Sequence, residues 1–349
     1  MKYFNYLFNI DSLKESRLPW IDFAKGVAII FVVYRHILIG LDRSGIEYNT
    51  AYFTFAEIGV TFRMHLFFII SGIFIRRSIQ KRTNQKFVSD KLKTLIYPYL
   101  IWTVLQVTLQ IIMRDYTNSH RTALDYLYII IQPRAIDQFW FIYALFNVAI
   151  LYLFLFKITK GNKWILLGIA TMMYAGAPFV QISVIDDIFD YFIFLVIGDI
   201  ISSFLLSPEY KKYYNTITLA ALFVLFSIGI WCYFNFDMNY FYLAVIALLG
   251  SALVVNLAFL VSNTMVGRFF RVFGFHSVYL YLMHSMIAAF VRVVLVKFFG
   301  ITHPELLLTI CVLSGCIIPI AICNIMLKSG LWFFFTPDNP LKKGQLTSA

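Results

Sequence analysis

Ten long apolar stretches fill most of this chain, near residues 20–40, 58–75, 95–113, 139–156, 164–180, 188–206, 216–236, 241–261, 272–295 and 307–327. A helix needs about 20 predominantly apolar residues to cross the hydrocarbon core of a bilayer. The pattern predicts an all-α integral membrane protein of about ten transmembrane helices. Composition agrees. Of 349 residues, 60% are hydrophobic and only 13% charged, about half the charge of an average soluble chain. An aromatic share of 19% suits lipid-facing helices and interfacial belts. Turn signals separate the stretches at Gly161-Asn162, Ser207-Pro208, Asp237-Met238-Asn239 and His303-Pro304. The longest connections, 76–94 and 114–138, are too short to be domains. A single membrane domain over 1–349 is expected, with 1–19 a retained N-terminal segment and 328–349 a tail.

Lysine and arginine set the expected orientation. One set of alternate connections carries Lys2, Lys14 and Arg17, then Arg76, Arg77, Lys81, Arg82, Lys86, Lys91 and Lys93, then Lys157, Lys160 and Lys163, Lys211 and Lys212, Arg268 and Arg271, and Lys328, Lys342 and Lys343. The other set holds only Arg43, Arg114, Arg121, Arg134 and Lys297. The positive-inside rule places the first set in the cytoplasm, and both termini with it. The net charge of +11 therefore reflects topology and contact with membrane lipids, not a nucleic-acid footprint. The four cysteines show no metal-ligand spacing and read as small buried hydrophobes. There is no P-loop, GxGxxG, HExxH or GxSxG in a strand-turn-helix context, and neither a metal nor a bound cofactor is expected.

Within the first stretch, WIDFAKGVAIIFVVYRHILIG, lie Asp22, Lys25, Arg35 and His36. Ionisable groups inside a bilayer are costly and mark functional sites. Lys25 and His36 are eleven residues apart, so they fall within about 20° of one helix face and about 16 Å apart along the axis. Asp22 is one turn from Lys25 on the same face and can neutralise it. Snorkelling of these charges to the two interfaces is the ordinary explanation. The functional one is a polar stripe facing a hydrated cavity, with His36 as a base active near neutral pH.

Other segments offer partners. Arg63 and His65 interrupt the second stretch, level with His36, and Ser71-Gly72 follows as a small pair that serves close helix packing or backbone approach to a ligand. The basic connection 76–93 ends near Lys91, Lys93 and Tyr97, and can funnel a phosphorylated cytoplasmic donor. Trp140 and Tyr143 open the fourth stretch as belt residues or as a platform for a sugar ring. Ser277, Tyr281 and His284 follow i, i+4, i+7 and share one face.

Taken in order, these motifs resemble the acyltransferase-3 family of bacterial membrane O-acyltransferases, especially its standalone members of the fucose-4-O-acetylase-like and enterobacterial-common-antigen O-acetyltransferase group. The resemblance rests on Lys25 and His36 in DFAKGVAIIFVVYRH, on Phe67-Phe68-Ile69-Ile70-Ser71-Gly72, on Lys91-Leu92-Lys93 through Pro98-Tyr99 to Trp102, on Trp140 to Leu145, and on Tyr281-Leu282-Met283-His284. Lys25 stands where many members have Arg. Phe62-Arg63-Met64-His65 replaces the Phe-His-Met-Pro of close relatives.

The resemblance implies transfer of an acyl group, foremost acetyl, from cytoplasmic acyl-CoA to a hydroxyl of a surface glycan or lipid-linked sugar, by a multi-pass protein of the inner membrane. His36, Lys25 and Asp22 would then be catalytic. Arg63, His65, Ser71, Trp140, Tyr143, Ser277, Tyr281 and His284 would contact substrate, and Lys91, Lys93 and Tyr97 the donor. A homo-oligomer stays open. The rival expectation is a polysaccharide exporter or transporter that uses the same intramembrane charges. A third, a non-catalytic scaffold of a polysaccharide synthesis complex, explains the spans but not the Lys25–His36 alignment.

Overall fold

A computed structural model describes residues 18–114, 116–119 and 121–339. The basic residues expected at Lys2, Lys14, Arg17, Lys342 and Lys343, and most of the two terminal segments, lie outside them. Among the described residues there are helices and no strands. The main helices are α1 (Pro19–Asp42), α2 (Thr50–Val60), α3 (Arg63–Gln80), α4 (Asn84–Lys91), α5 (Tyr97–Ile112), α6 (Asp125–Ile131), α7 (Trp140–Ile158), α8 (Lys163–Gly176), α9 (Ser183–Leu206), α10 (Thr216–Asn235), α11 (Tyr240–Val261), α12 (Met265–Phe275), α13 (Ser277–Val293) and α14 (Pro304–Lys328). Nine helical segments among the described residues are long and apolar enough to cross a membrane. The expected fifth span is the exception. Helix α8 has 14 residues, about 21 Å at 1.5 Å per residue, short of the hydrocarbon thickness.

Three expected boundaries move. The connection 76–94 is mostly helical: after a short turn, Thr83 accepts from the Lys86 amide as an N-cap and α4 begins. It runs through a π-helical turn, Leu92–Ile96, into α5. Polar and charged residues disguise this helix, whose one buried side chain is Phe87, as a loop. The second stretch breaks at Thr61-Phe62, between α2 and α3. The ninth starts at Ser277, because Met265–Phe275 forms the separate helix α12.

The chain divides into two compact units. The first comprises residues 1–63, 101–126 and 261–349, the second residues 64–100 and 127–260. In the first, α1 is the central helix, packed by α2, α12, α13 and α14. Small residues make this packing close. A Cβ on Gly26 would meet the Phe270 carbonyl oxygen at 2.1 Å, and one on Gly274 would meet the Asp22 carbonyl oxygen at 1.6 Å. The backbones of α1 and α12 therefore touch beside Asp22 and Lys25, a small-residue crossing of the kind that membrane helices use in place of hydrophobic drive. At the other end of α1, Arg292 and Asn118 both donate to the Gly40 carbonyl, Asn118 at 3.0 Å. That end, one turn past His36, is thereby fixed.

In the second unit α9 packs against α7 and α8, and it crosses α3 through Gly72 and Gly198. A Cβ on Gly72 would lie 2.0 Å from the Leu195 carbonyl oxygen, and one on Gly198 2.1 Å from that of Ile69. The small pair Ser71-Gly72 thus serves helix packing at Gly72, while the Ser71 hydroxyl donates to Phe67 of its own helix at 2.9 Å.

Candidate active site

The first unit brings two histidines together. His36 is half-buried on α1, and its ring centroid lies 5.2 Å from that of His284 on α13. His284 is fully buried. Its Nδ1 lies 2.9 Å from the Leu280 carbonyl and 3.0 Å from that of Tyr281, while its Nε2 is buried with no hydrogen-bond partner in the protein. The buried Tyr281 ring sits 6.2 Å from that of His284. Arg63, at the start of α3, donates from Nη1 to the Phe31 carbonyl at 3.1 Å, and its charge acts on both imidazoles. Ser277 is buried at the start of α13, nearly two turns from His284. Glycine at 315 lets α14 approach this pair closely: a Cβ there would meet Val33 Cγ1 at 3.2 Å and the His284 carbonyl oxygen at 3.7 Å.

Lower on α1, Asp22 acts electrostatically on Lys25 and also on the buried Arg271 of α12. Arg271 belongs to a basic connection by sequence pattern. It joins this group because Gly274 lets α12 lie directly on α1. Arg35, next to His36 in sequence, pairs with Glu57 at 2.9 Å and stacks over Phe53 at 4.8 Å. It therefore ties α1 to α2.

His276, just ahead of α13, is an instructive contrast. Its Nδ1 lies 2.9 Å from the Val272 carbonyl and its Nε2 lies 3.3 Å from Asn324 Nδ2. Burial pushes its imidazole down to about 4, so it is a neutral structural residue with both nitrogens engaged.

The second unit holds the remaining expected contacts. His65 packs edge-on to Phe194 at 4.5 Å and beside Tyr191 at 5.3 Å. Trp140 lies under the Arg134 guanidinium, 4.3 Å from its centroid, and 5.5 Å from Tyr191. Tyr143 stacks on the buried Tyr99 at 5.3 Å. Lys91 lies 5.7 Å from the Phe87 ring. Lys93 on the π-helical turn and Tyr97 at the start of α5 are half-buried. π-helical turns occur often at functional sites because they re-aim neighbouring side chains.

Two polar clusters in this unit were not singled out by sequence reasoning. Asp199 on α9 has no solvent exposure. It accepts from Arg76 Nε at 2.8 Å, Arg76 Nη2 at 2.7 Å and the Tyr152 hydroxyl at 2.7 Å. Arg76 also donates to Gly161, and Lys163 donates to the Asp199 carbonyl. Arg76 is therefore a half-buried structural partner and not part of a free basic loop. In the other cluster Arg134 pairs with Asp187 at 2.7 Å, and the Tyr240 hydroxyl bonds Asp190. A lone acid in an apolar run, as in LVIGDII, was the available signal for Asp199. Among the described residues no three His, Cys, Asp or Glu side chains are arranged to hold a metal.

An all-helical membrane protein whose first unit sets His36 of α1 against His284 of α13, with Asp22 and Lys25 farther along α1, defines the class. Residues 18–325 match the acyltransferase domain of the acyltransferase-3 family, and the chain belongs to that family. It is a multi-pass membrane acyltransferase. No curated protein and no solved structure matches it.

Proposed function

We propose that this acyltransferase moves an acetyl group from cytoplasmic acetyl-CoA to a hydroxyl of a surface glycan or lipid-linked sugar in the inner membrane. The observation that carries this reading is His36 on the central helix, half-buried and aligned along one membrane-spanning helix with Lys25 and Asp22. The acceptor hydroxyl gives its proton to a free nitrogen of His36 as its oxygen attacks the thioester carbonyl. A C–O bond forms, the tetrahedral oxyanion collapses, the C–S bond breaks, and the leaving thiolate takes the proton back from His36. Arg63 and Tyr281, beside the imidazoles, supply positive charge and a hydroxyl donor to the oxyanion. Lys25, with Asp22 and Arg271, orients the donor from the other half of the helix. Mass spectrometry of surface glycan from deletion and complemented strains tests the reading. Loss of about 42 mass units per acetyl ester, with glycan still exported, is expected from the general chemistry of acyl transfer. Absence of surface glycan would instead favour the exporter.

The donor arrives at the basic end formed by α4 and its π-helical turn, which the positive-inside rule places in the cytoplasm. Sealed inside-out vesicles should use added acetyl-CoA, and right-side-out vesicles should not. Neutralising Lys91 and Lys93 together should raise the acetyl-CoA KM several-fold, about 3–10-fold, with kcat little changed, because remote phosphate contacts contribute uniform binding. An unchanged KM at equal protein level would remove the donor from this helix.

A further inference from the structure

We propose that His284 is a positioning residue that fixes the tautomer of His36. The proposal rests on the reading of His36 as the base. A carbonyl oxygen only accepts, so the contacts of His284 Nδ1 to Leu280 and Tyr281 place a proton on Nδ1. The neutral ring then presents a bare lone pair at Nε2, which is buried with no protein partner. A buried acceptor without a donor is destabilising. The neighbouring imidazole is that of His36, 5.2 Å away between ring centroids. Neutral His36 carries an N–H in either tautomer, and in the proposed pairing that N–H turns toward His284 Nε2.

This pairing has a chemical consequence. If the nitrogen of His36 facing His284 keeps the proton, the opposite nitrogen is bare and faces the acceptor hydroxyl. When His36 takes the acceptor's proton, the resulting imidazolium already has a neutral acceptor for its other N–H. In serine hydrolases a carboxylate does the same for the base. A second imidazole suits a bilayer better, since it adds no buried charge beside Arg63. His276 shows the alternative: with both nitrogens engaged by Val272 and Asn324, it has none left to offer. At Gly315, α14 packs near both members of the pair, next to Val33 of α1 and the His284 carbonyl.

The test uses the full chain in native membranes and in nanodiscs. Membranes receive [14C]acetyl-CoA, and alkali-labile label in the glycolipid fraction is counted. His284→Leu should lower kcat about 10²–10³-fold, within the range of general-base effects, with the acetyl-CoA KM within about three-fold. His284→Gln should return to within about ten-fold of wild type, because its amide oxygen reaches the place of Nε2 and accepts without titrating. In nanodiscs, 15N-histidine spectra should show one dominant His36 tautomer in the wild type and a mixture in His284→Leu. Equal loss in both variants, with the His36 tautomer unchanged, would overturn the proposal and make His284 itself the base or a substrate contact. A fall in yield alone, with turnover per folded molecule unchanged, would also overturn it. If wild-type membranes incorporate no label, the functional reading fails, and the tautomer measurement still decides the histidine pair.

Discussion

His36→Ala is expected to abolish acyl transfer while the protein still inserts and folds. Loss of a general base typically costs about 10²–10⁴-fold. The ring is half-buried, and the neighbouring helix contacts run through Gly26, Gly274 and Gly315, so truncation at His36 leaves the packing of α1 intact. His36→Gln should not rescue, since an amide donates and accepts hydrogen bonds but takes no proton near neutral pH. Lys25→Arg should retain substantial activity because the charge beside Asp22 survives. Lys25→Ala should lose most of it, leaving Asp22 with Arg271 as its nearby cation. Near-wild-type turnover in His36→Gln would remove the base from this position and make His284 the first alternative. The two histidines thus predict opposite behaviour of the same amide: it fails at 36 and works at 284.

The legible part of this molecule was whatever the bilayer dictates residue by residue. Long apolar runs announce helices because lipid offers no other partner to the backbone, and the spacing of Lys25 and His36 follows from the helical repeat alone. Packing partners were not legible. That His284 meets His36, that Arg35 meets Glu57 and that Arg271 reaches Asp22 all depend on which helices lie against α1, and no periodicity within a single helix encodes that. The helix α4 was hidden for a related reason. It is short and rich in Lys, and an exposed polar helix has the composition of a loop. Helix α12 was hidden in the opposite way, its phenylalanines blending into the apolar stretch that follows. The glycines at 26, 72, 198 and 274 mark the helix crossings. In sequence they look like any other small residue, and only the opposing backbone gives each its meaning.

The second large effect is expected at Asp199, and it concerns folding. Asp199 is the unexposed hub of Arg76 and Tyr152. Removing one partner of a fully buried ion pair leaves the other charge uncompensated and costs about 3–5 kcal/mol; that applies to the unexposed Asp199 left without Arg76, and the cost is smaller when Arg76, 21% exposed, is the charge left behind. Asp199→Leu and Arg76→Met should each lower the thermal midpoint in detergent sharply. The double variant should be more stable than either, since replacing a buried pair by apolar side chains of similar volume is often close to neutral. A deficit of about 1–3 kcal/mol should remain, because the Tyr152 hydroxyl and the Gly161 carbonyl each lose a partner. The Lys163 bond to the Asp199 backbone survives all three changes. The same double variant asks whether Arg76 touches the donor. If the network is structural, the acetyl-CoA KM of the folded double variant should match wild type. A raised KM together with additive loss of stability would return Arg76 to the basic funnel that its sequence neighbours suggest.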